Sequence, residues 1–359
     1  MRPTGGGGDG WRRVVTTLAL LASAHGCAVG VRPMASLPEL AATHPCRVAV
    51  PTEGAAPVHL AWVGPSSAND RRHLDAWCAA SGAPVVVTPP GAARAARPLA
   101  ADGLVVVSWN VHEGAGDVRG LIARLRAGAL TDGAPATRFV LLLQEARRAG
   151  GAPPRSDASA DIVADAGAAG LSIYYVASKR IGPGTMPAPD RGNAILSTEP
   201  LSHFRAIELP FERQRRLAVE AVVSGVDAAG TPWRLRLVSA HFESTASIGR
   251  WRVLASVPRQ RQARALVDAI PADEPVVLGG DFNTWFGFSD ATYRALAAAI
   301  PDISLRDRRR TFGRLFRLDH LFARPPDGWR ASARRLDTRL GSDHYPLLAQ
   351  VVPAGPPAP

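Results

Sequence analysis

The sequence predicts an α/β (α+β) fold in which two mixed β-sheets pack face to face with helices outside, preceded by a small N-terminal extension. Three observations point there. Apolar runs of strand length recur along the chain, and several end abruptly in polar residues. The links between them mix short hairpin-like turns with helix-containing crossovers, which belong to antiparallel and parallel pairing respectively. Finally, 46% of the 359 residues are apolar, ample for one large buried core.

Residues 28–100 read as the extension. Val48–Val50 and His59–Val63 are predicted short strands, Arg71–Ala80 a helix turn or two, and Val85–Thr88 another strand. Pro89-Pro90-Gly91 and an Ala/Arg-rich stretch to Ala101 then form a linker. The main domain, 101–352, opens with a strand over Leu104–Asn110, a helix over Val118–Ala127 and a strand over Phe139–Leu143. Gly150–Pro154 is a loop and Ser156–Gly167 contains a helix. Tyr174–Ser178 and Asn193–Ser197 are strands on either side of the loop Ile181–Asp190. Period-two alternation marks strands at Leu217–Ser224 and Trp233–His241. Pro258–Ile270 reads as a helix, Val276–Leu278 as a strand and Leu315–Leu318 as a looser apolar run. The Pro-rich tail 353–359 is expected to be disordered, and no internal repeat is visible.

At the N-terminus, Arg2, Arg12 and Arg13 precede the apolar stretch Val14–Ala24. That stretch is shorter than the roughly 20 residues of a membrane span, so 1–27 reads as a secretory signal and the chain as exported: periplasmic, at the cell surface or secreted. Ala24-His25-Gly26-Cys27 is similar to a lipobox, with Ala at the usual Leu position and an awkward His. A lipidated Cys27 would anchor the chain to a membrane; an ordinary signal cut nearby is the alternative. Cys46 and Cys78 then remain, and in an oxidising compartment a disulfide between them is favoured over two free thiols. Without a nearby His pair they make a poor zinc site.

The formal charge of +11 invites a nucleic-acid reading. Yet Lys179 is the only lysine, and an almost pure Arg excess reads more simply as compositional bias. The densest cluster, Arg306, Arg308, Arg309, Arg310, Arg314 and Arg317, either edges a cleft or forms a solvated face.

The chemistry lies in five segments: Trp109-Asn110-Val111, Gln144-Glu145, Gly280-Asp281-Phe282-Asn283, Leu318-Asp319-His320 and Ser342-Asp343-His344. Asn, Glu, Asp and His side chains gathered at strand ends suit a hard divalent cation beside a general base. Glu145 closes an apolar run, where a carboxylate is costly unless paired or metal-bound; an ion pair to Arg147 or Arg148 is the plainer alternative. Asn110 offers a neutral oxygen ligand. His344 fits the general base, with Asp319 on its other nitrogen to fix the tautomer. Asp343 could add a metal contact through water. His320 alternates to the opposite strand face and is expected to be structural.

These segments, together with Arg191-Gly-Asn-Ala-Ile-Leu-Ser197 and Val238-Ser-Ala-His-Phe242, resemble the endonuclease/exonuclease/phosphatase superfamily in order and spelling over residues 104–352. That superfamily includes deoxyribonucleases, apurinic endonucleases, neutral sphingomyelinases and inositol-polyphosphate phosphatases. The resemblance implies a four-layer sandwich and a monomeric phosphoester hydrolase dependent on Mg²⁺, with Mn²⁺ as a substitute. It makes Glu145 the main metal ligand, has Asp281 orient or deprotonate the attacking water, and has Asn283 and Asn193 hold the phosphate. His241 resembles the deoxyribonuclease, sphingomyelinase and inositol-phosphatase branches, where it donates to the phosphate or protonates the leaving oxygen.

The substrate stays open among nucleic acid, a phospholipid head group, as in a sphingomyelinase, and a soluble phosphate ester. A catalytically silent binding module of the same fold is the rival class, and the intact motif positions speak against it. Trp285, Phe286 and Phe288, with Ile248, Trp251, Val253 and Leu254, are expected to pack; exposed, they would favour a lipid substrate.

Overall fold

The computed structural model describes residues 45–49, 58–65, 67–89, 103–149, 161–180, 189–227, 230–244, 246–248, 251–253 and 256–354. The signal segment with Cys27, most of the linker, the loop Gly150–Pro154, residues 181–188, Leu254 and tail residues 355–359 lie outside them, as do the side chains of Ile248, Trp251 and Val253. Among the described residues no helix is long and apolar enough to cross a membrane.

The extension supplies β1 (Val48–Ala49), β2 (Val58–His59), β3 (Ala61–Val63), α1 (Ala68–Ala80) and β4 (Val85–Val87). The main domain continues with β5 (Leu104–Asn110), α2 (Val118–Arg126), β6 (Phe139–Arg148), α3 (Ile162–Ala168), β7 (Ser172–Arg180) and β8 (Asp190–Ser197). Next come β9 (Ser202–Glu208), β10 (Leu217–Val226), β11 (Pro232–His241), the hairpin β12 (Ala246–Ile248) and β13 (Trp251–Val253), and α4 (Ser256–Ala269). The chain closes with β14 (Val276–Asp281), α5 (Ala291–Ala299), β15 (Asp319–Arg324), β16 (Trp329–Arg335) and β17 (Leu347–Pro353).

Two mixed sheets result, as the strand pattern predicts. One has seven strands in the order β16-β17-β5-β6-β8-β7-β4, the other six in the order β15-β14-β11-β10-β9-β3. Val106, Val140 and Leu142 of the first meet Val219, Ala221, Leu235 and Leu237 of the second in the central core. The alternate side chains Val105, Val107, Leu141 and Leu143 turn outward onto α2 and α3. Helix α2 forms because Val118, Leu121, Ile122 and Leu125 fall on one face at i, i+3, i+4, i+7, and Asp117 Oδ1 caps its start by accepting from Gly120 N at 2.8 Å. On the far side, α4 and α5 cover the six-stranded sheet through Ala263, Leu266, Tyr293 and Leu296.

The extension does not stand apart from the sandwich. Strand β3 pairs with β9 and β4 with β7, so it contributes an edge strand to each sheet. Cys46 and Cys78 are disulfide-bonded with Cα atoms 5.6 Å apart.

Other departures have local causes. The expected strand His59–Val63 is split at Leu60, whose amide donates to the Arg47 carbonyl at 2.7 Å. Leu315–Leu318 is not a strand; β15 begins at Asp319. Strand β16 escapes the sequence pattern because it is an edge strand of half-exposed, Arg-rich residues with little apolar alternation. Strand β17 runs through Pro353, and the Ala354 amide still reaches the Gly328 carbonyl at 2.7 Å, two residues into the expected tail.

Strand β14 lacks side chains where it is squeezed. A Cβ on Gly280 would lie 2.1 Å from the Ala240 carbonyl oxygen of β11, a backbone atom that cannot step aside. Gly280→Ala should therefore pry β14 from β11 and destabilise the fold by about 1–3 kcal/mol or more, the usual cost of overpacking. Urea unfolding of the variant beside wild type checks this.

Candidate active site

Strand register builds the site. In the six-stranded sheet His241 pairs with Asp281 across the parallel β11–β14 ladder, and Asp281 with Asp319 across β14–β15. Three polar side chains thus share one row at the strand ends. In the other sheet Asn110 ends β5 beside Gln144 of the parallel neighbour β6. The two ends face each other, the usual location of ligand sites in α/β sheets. Between the sheets the Gln144 amide donates to Ser239 Oγ at 2.9 Å, and Ser239 Oγ donates to the Leu143 carbonyl at 3.0 Å.

Glu145 reaches the cleft through a bulge. Leu143 and Ala146 both pack on the outer face, so two residues occupy the place of one and the β6–β8 register shifts between them. Glu145 absorbs the kink at φ +55°. Its Oε2 accepts from Arg191 Nη1 and from the Glu113 amide, each at 3.1 Å. The partner is therefore Arg191 rather than the neighbouring Arg147 or Arg148; Arg148 pairs with Asp190.

His344 is placed by Ser342, whose Oγ donates to the Asn110 carbonyl at 2.7 Å and accepts from the His344 amide at 3.0 Å. Trp109 Nε1 donates to the His344 carbonyl at 3.1 Å. The buried His344 Nδ1 lies 2.8 Å from Asp319 Oδ2, and Nε2 lies 3.7 Å from Asp281 Oδ2. Asp281 also accepts from Asn110 Nδ2 at 3.0 Å and from the Asn283 amide at 3.0 Å.

Burial opposes charge on His344, but Asp319 and then Asp281 outweigh it and hold the imidazole up at about 10. Asp281 is pushed up to about 7, first by burial and then by Asp319, with His344 pulling against them. His241 behaves oppositely. Burial, then Arg216, His344 and Arg191, drive it well below the ordinary histidine range, so it is neutral at pH 7.

A cavity of about 250 Å³ opens here, lined by Asn110, Glu145, His241, Asp281, Asn283, Asp343 and His344 among others. Asn193 is not part of that lining: its Nδ2 donates to the Leu217 carbonyl at 2.7 Å and ties β8 to β10. Asn283 Nδ2 donates to the Phe242 carbonyl at 3.1 Å. Asp343 lies at the rim, 3.2 Å from His112 Nδ1. His320 is fully buried against Thr284 Oγ1 at 2.9 Å, a structural position as its strand alternation suggests. Of the arginine cluster, Arg306, Arg308 and Arg309 line another surface, where Arg309 pairs with Asp307, and the buried Arg317 donates to the Ser304 carbonyl.

Sequence reasoning assigns no role to Lys179, Arg191, Gln214 and Arg216, which also line the cavity. Arg216 is buried with Nε unpartnered among the described residues, and its nearest carboxylate, Glu243, is 3.9 Å away. Burial pulls its guanidinium down even against Glu243 and Glu145. A buried cation this poorly matched is suited to an anionic ligand. The available signal was the Arg215-Arg216 pair directly before the apolar strand from Leu217.

Asp281, Asp319 and His344 each offer a ligand atom within 4.8 Å of the others, a grouping that could hold a metal ion. The oxygen-rich donors Glu145, Asn110, Asp281 and Asp343 also suit a hard cation such as Mg²⁺.

A two-sheet sandwich with a carboxylate and histidine cleft at its strand ends defines a class of hydrolase folds. The family model described as the endonuclease/exonuclease/phosphatase family matches residues 107–344, and the chain belongs to that family. Among solved structures, an endonuclease/exonuclease/phosphatase from Beutenbergia cavernae DSM 12333 is similar at 21% identity and a TM-score of 0.50, over 71% of this chain and 72% of that one. A family protein from Leptotrichia buccalis C-1013-b aligns at 14% identity and 0.49, over 69% and 99%. Sphingomyelinase C from Streptomyces griseocarneus aligns at 21% identity and 0.42, over 69% and 99%. No match was found among curated proteins.

The raised His344 has a thermodynamic consequence in metal-free protein. Its folded value of about 10 exceeds the ordinary 6.5, so its contribution is complete below pH 6.5 and is lost as pH rises toward 10. Asp281 acts in the same direction at lower pH, since ionising it is harder folded than unfolded. Melting temperature in chelator should fall as pH rises through this window, and Asp319→Asn should flatten the upper part of the slope.

Proposed function

We propose that the chain is an exported, Mg²⁺-dependent phosphoester hydrolase that attacks phosphorus in line with activated water and forms no covalent intermediate. The observation that carries this reading is the buried Asp319–His344 pair beside Asp281, facing the under-compensated Arg216 across one small cavity.

In this reading Glu145 and Asn110, with Asp343 through water, hold Mg²⁺ or Mn²⁺. Bound there, the cation would polarise a phosphoryl oxygen and, by charge repulsion, lower His344 from about 10 toward neutrality. We assign Asp319 to His344 rather than to the metal, because its Oδ2 already holds Nδ1 at 2.8 Å. Asp281 orients the water, and neutral His344 takes its proton while Asp319 stabilises the imidazolium. As oxygen bonds to phosphorus, the ester P–O bond breaks. Arg216, Lys179 and Asn283 hold the phosphate. His241, neutral in the free cleft, donates a hydrogen bond to it and becomes an acid only when the phosphate charge raises its proton affinity. The disulfide supports an oxidising, extracytoplasmic location.

A second reading, a sphingomyelinase-like phospholipid phosphodiesterase, is favoured by the rim. Trp285 is packed, edge-on to Phe316 at 4.9 Å and donating to the Ser244 carbonyl at 2.8 Å. Its neighbour Phe286 is 56% exposed, however, and Leu315 beside Phe316 is 70% exposed. Apolar surface next to a cleft often marks a binding face.

A panel of bis(p-nitrophenyl) phosphate, single-stranded and duplex DNA, and sphingomyelin vesicles, each with Mg²⁺ and with chelator, separates these readings. Metal-dependent turnover of at least one is expected, with vesicles leading if the rim binds lipid. Glu145→Gln should retain the fold and lose roughly 100-fold or more, at or beyond the upper end of outer-shell effects. Metal binding without turnover of any substrate would instead favour a silent binding module.

A further inference from the structure

Arg216 and Gln214 reach the cleft from an irregular loop, residues 209–216, joining β9 to β10. On one side α4 holds the loop: Gln262 Nε2 donates to the Pro210 carbonyl at 3.0 Å, and Arg261 pairs with Glu212 at 2.6 Å. On the other side the loop meets the N-terminal extension. Asp70 of α1 accepts from the Phe211 amide at 3.3 Å, and the Phe211 ring packs on Trp77 at 5.2 Å and His73 at 6.1 Å.

Arg215, next to Arg216, turns away from the cleft into the extension. Its guanidinium lies 5.9 Å from the Trp62 ring and 5.7 Å from the Trp77 ring. Nε donates to Glu208 at 3.0 Å, and Nη1 donates to the Ala177 carbonyl at 3.2 Å. Trp62, Trp77 and the disulfide form the far side of this nest, and Cys46, Cys78, Trp62 and Arg215 border one cavity of only about 20 Å³. Consecutive residues at a strand start point to opposite faces, so a seat that fixes Arg215 also fixes where Arg216 points.

We infer that the extension is a clamp: α1, fastened by Cys46–Cys78, seats Phe211 and Arg215 and thereby sets Arg216 against the substrate phosphate. Trp77 is then a positioning residue acting through Arg215, and the disulfide makes phosphate binding sensitive to reduction. The inference rests on the phosphate role proposed for Arg216. It leaves the Asp319–His344 pair outside the clamp, because that pair is placed by Ser342, Asn110 and Trp109.

The test uses the full chain and two probes: inorganic phosphate, titrated calorimetrically with Mg²⁺ present, and bis(p-nitrophenyl) phosphate for kinetics. Trp77→Ala and the double variant Cys46→Ala/Cys78→Ala should each bind phosphate roughly tenfold more weakly, the lower end of outer-shell effects. KM should rise in parallel while kcat stays within about twofold, the signature of lost ground-state binding. Trp77→Phe should recover most of the affinity by keeping an aromatic face under Arg215. A folded Trp77→Ala with wild-type phosphate affinity and KM overturns the clamp, whatever its melting temperature. So does a wild-type protein with no measurable phosphate affinity. If the cysteine variant does not fold, Trp77→Ala decides. If wild type binds phosphate but hydrolyses no ester, the proposed activity fails while the phosphate titration still decides the clamp.

Discussion

The site depends on two buried carboxylates held side by side. Asp281 and Asp319 are partners across the β14–β15 ladder, each almost wholly withdrawn from water. Like charges so placed repel, and the fold tolerates them because His344 stands between them with a ring nitrogen toward each. The cluster is therefore poised: it keeps a proton on the imidazole that an added positive charge would displace. Strand pairing sets the two carboxylates, which is why a clash at Gly280, one residue away, would be felt by the chemistry.

The rest of the cleft answers that cluster. Glu145 is delivered by a bulge and a left-handed backbone conformation, a local strain of the kind found at functional sites. Lys179, Arg191 and Arg216 share its cavity, Arg191 bonded to Glu145 at 3.1 Å and Arg216 without a carboxylate closer than Glu243 at 3.9 Å. The two walls come from different parts of the chain. The carboxylate and histidine cluster is built mainly from strand ends, whereas Lys179 and Arg191 lie on β7 and β8 and Arg216 comes from a loop held by the extension and α4.

Much of this was legible in the sequence because strand ends leave a clear mark: an apolar run stopping at a polar residue. Asn110 could be read that way, the roles of Asp281 and His241 came only with the family resemblance, and the Asp319–His344 partnership followed from residue chemistry. The cationic wall was not legible, since Arg216 looks like any arginine in an Arg-rich chain and only burial without a close partner distinguishes it. Asn193 lies in a recognisable segment, yet its amide faces the Leu217 carbonyl, and no strand pattern reveals which backbone group a side chain will find. The extension read as a separate piece because β3 and β4 are three residues each, too short to announce that they edge two sheets.

The central claim is that His344 moves the proton of the attacking water in a metal-loaded cleft. Turnover of bis(p-nitrophenyl) phosphate by wild type and His344→Ala at saturating Mg²⁺ tests it most directly. The account predicts clear wild-type turnover and a loss of roughly 10²–10⁴-fold in kcat for the variant, the range for a general base. Equal kcat values for the two proteins would contradict it.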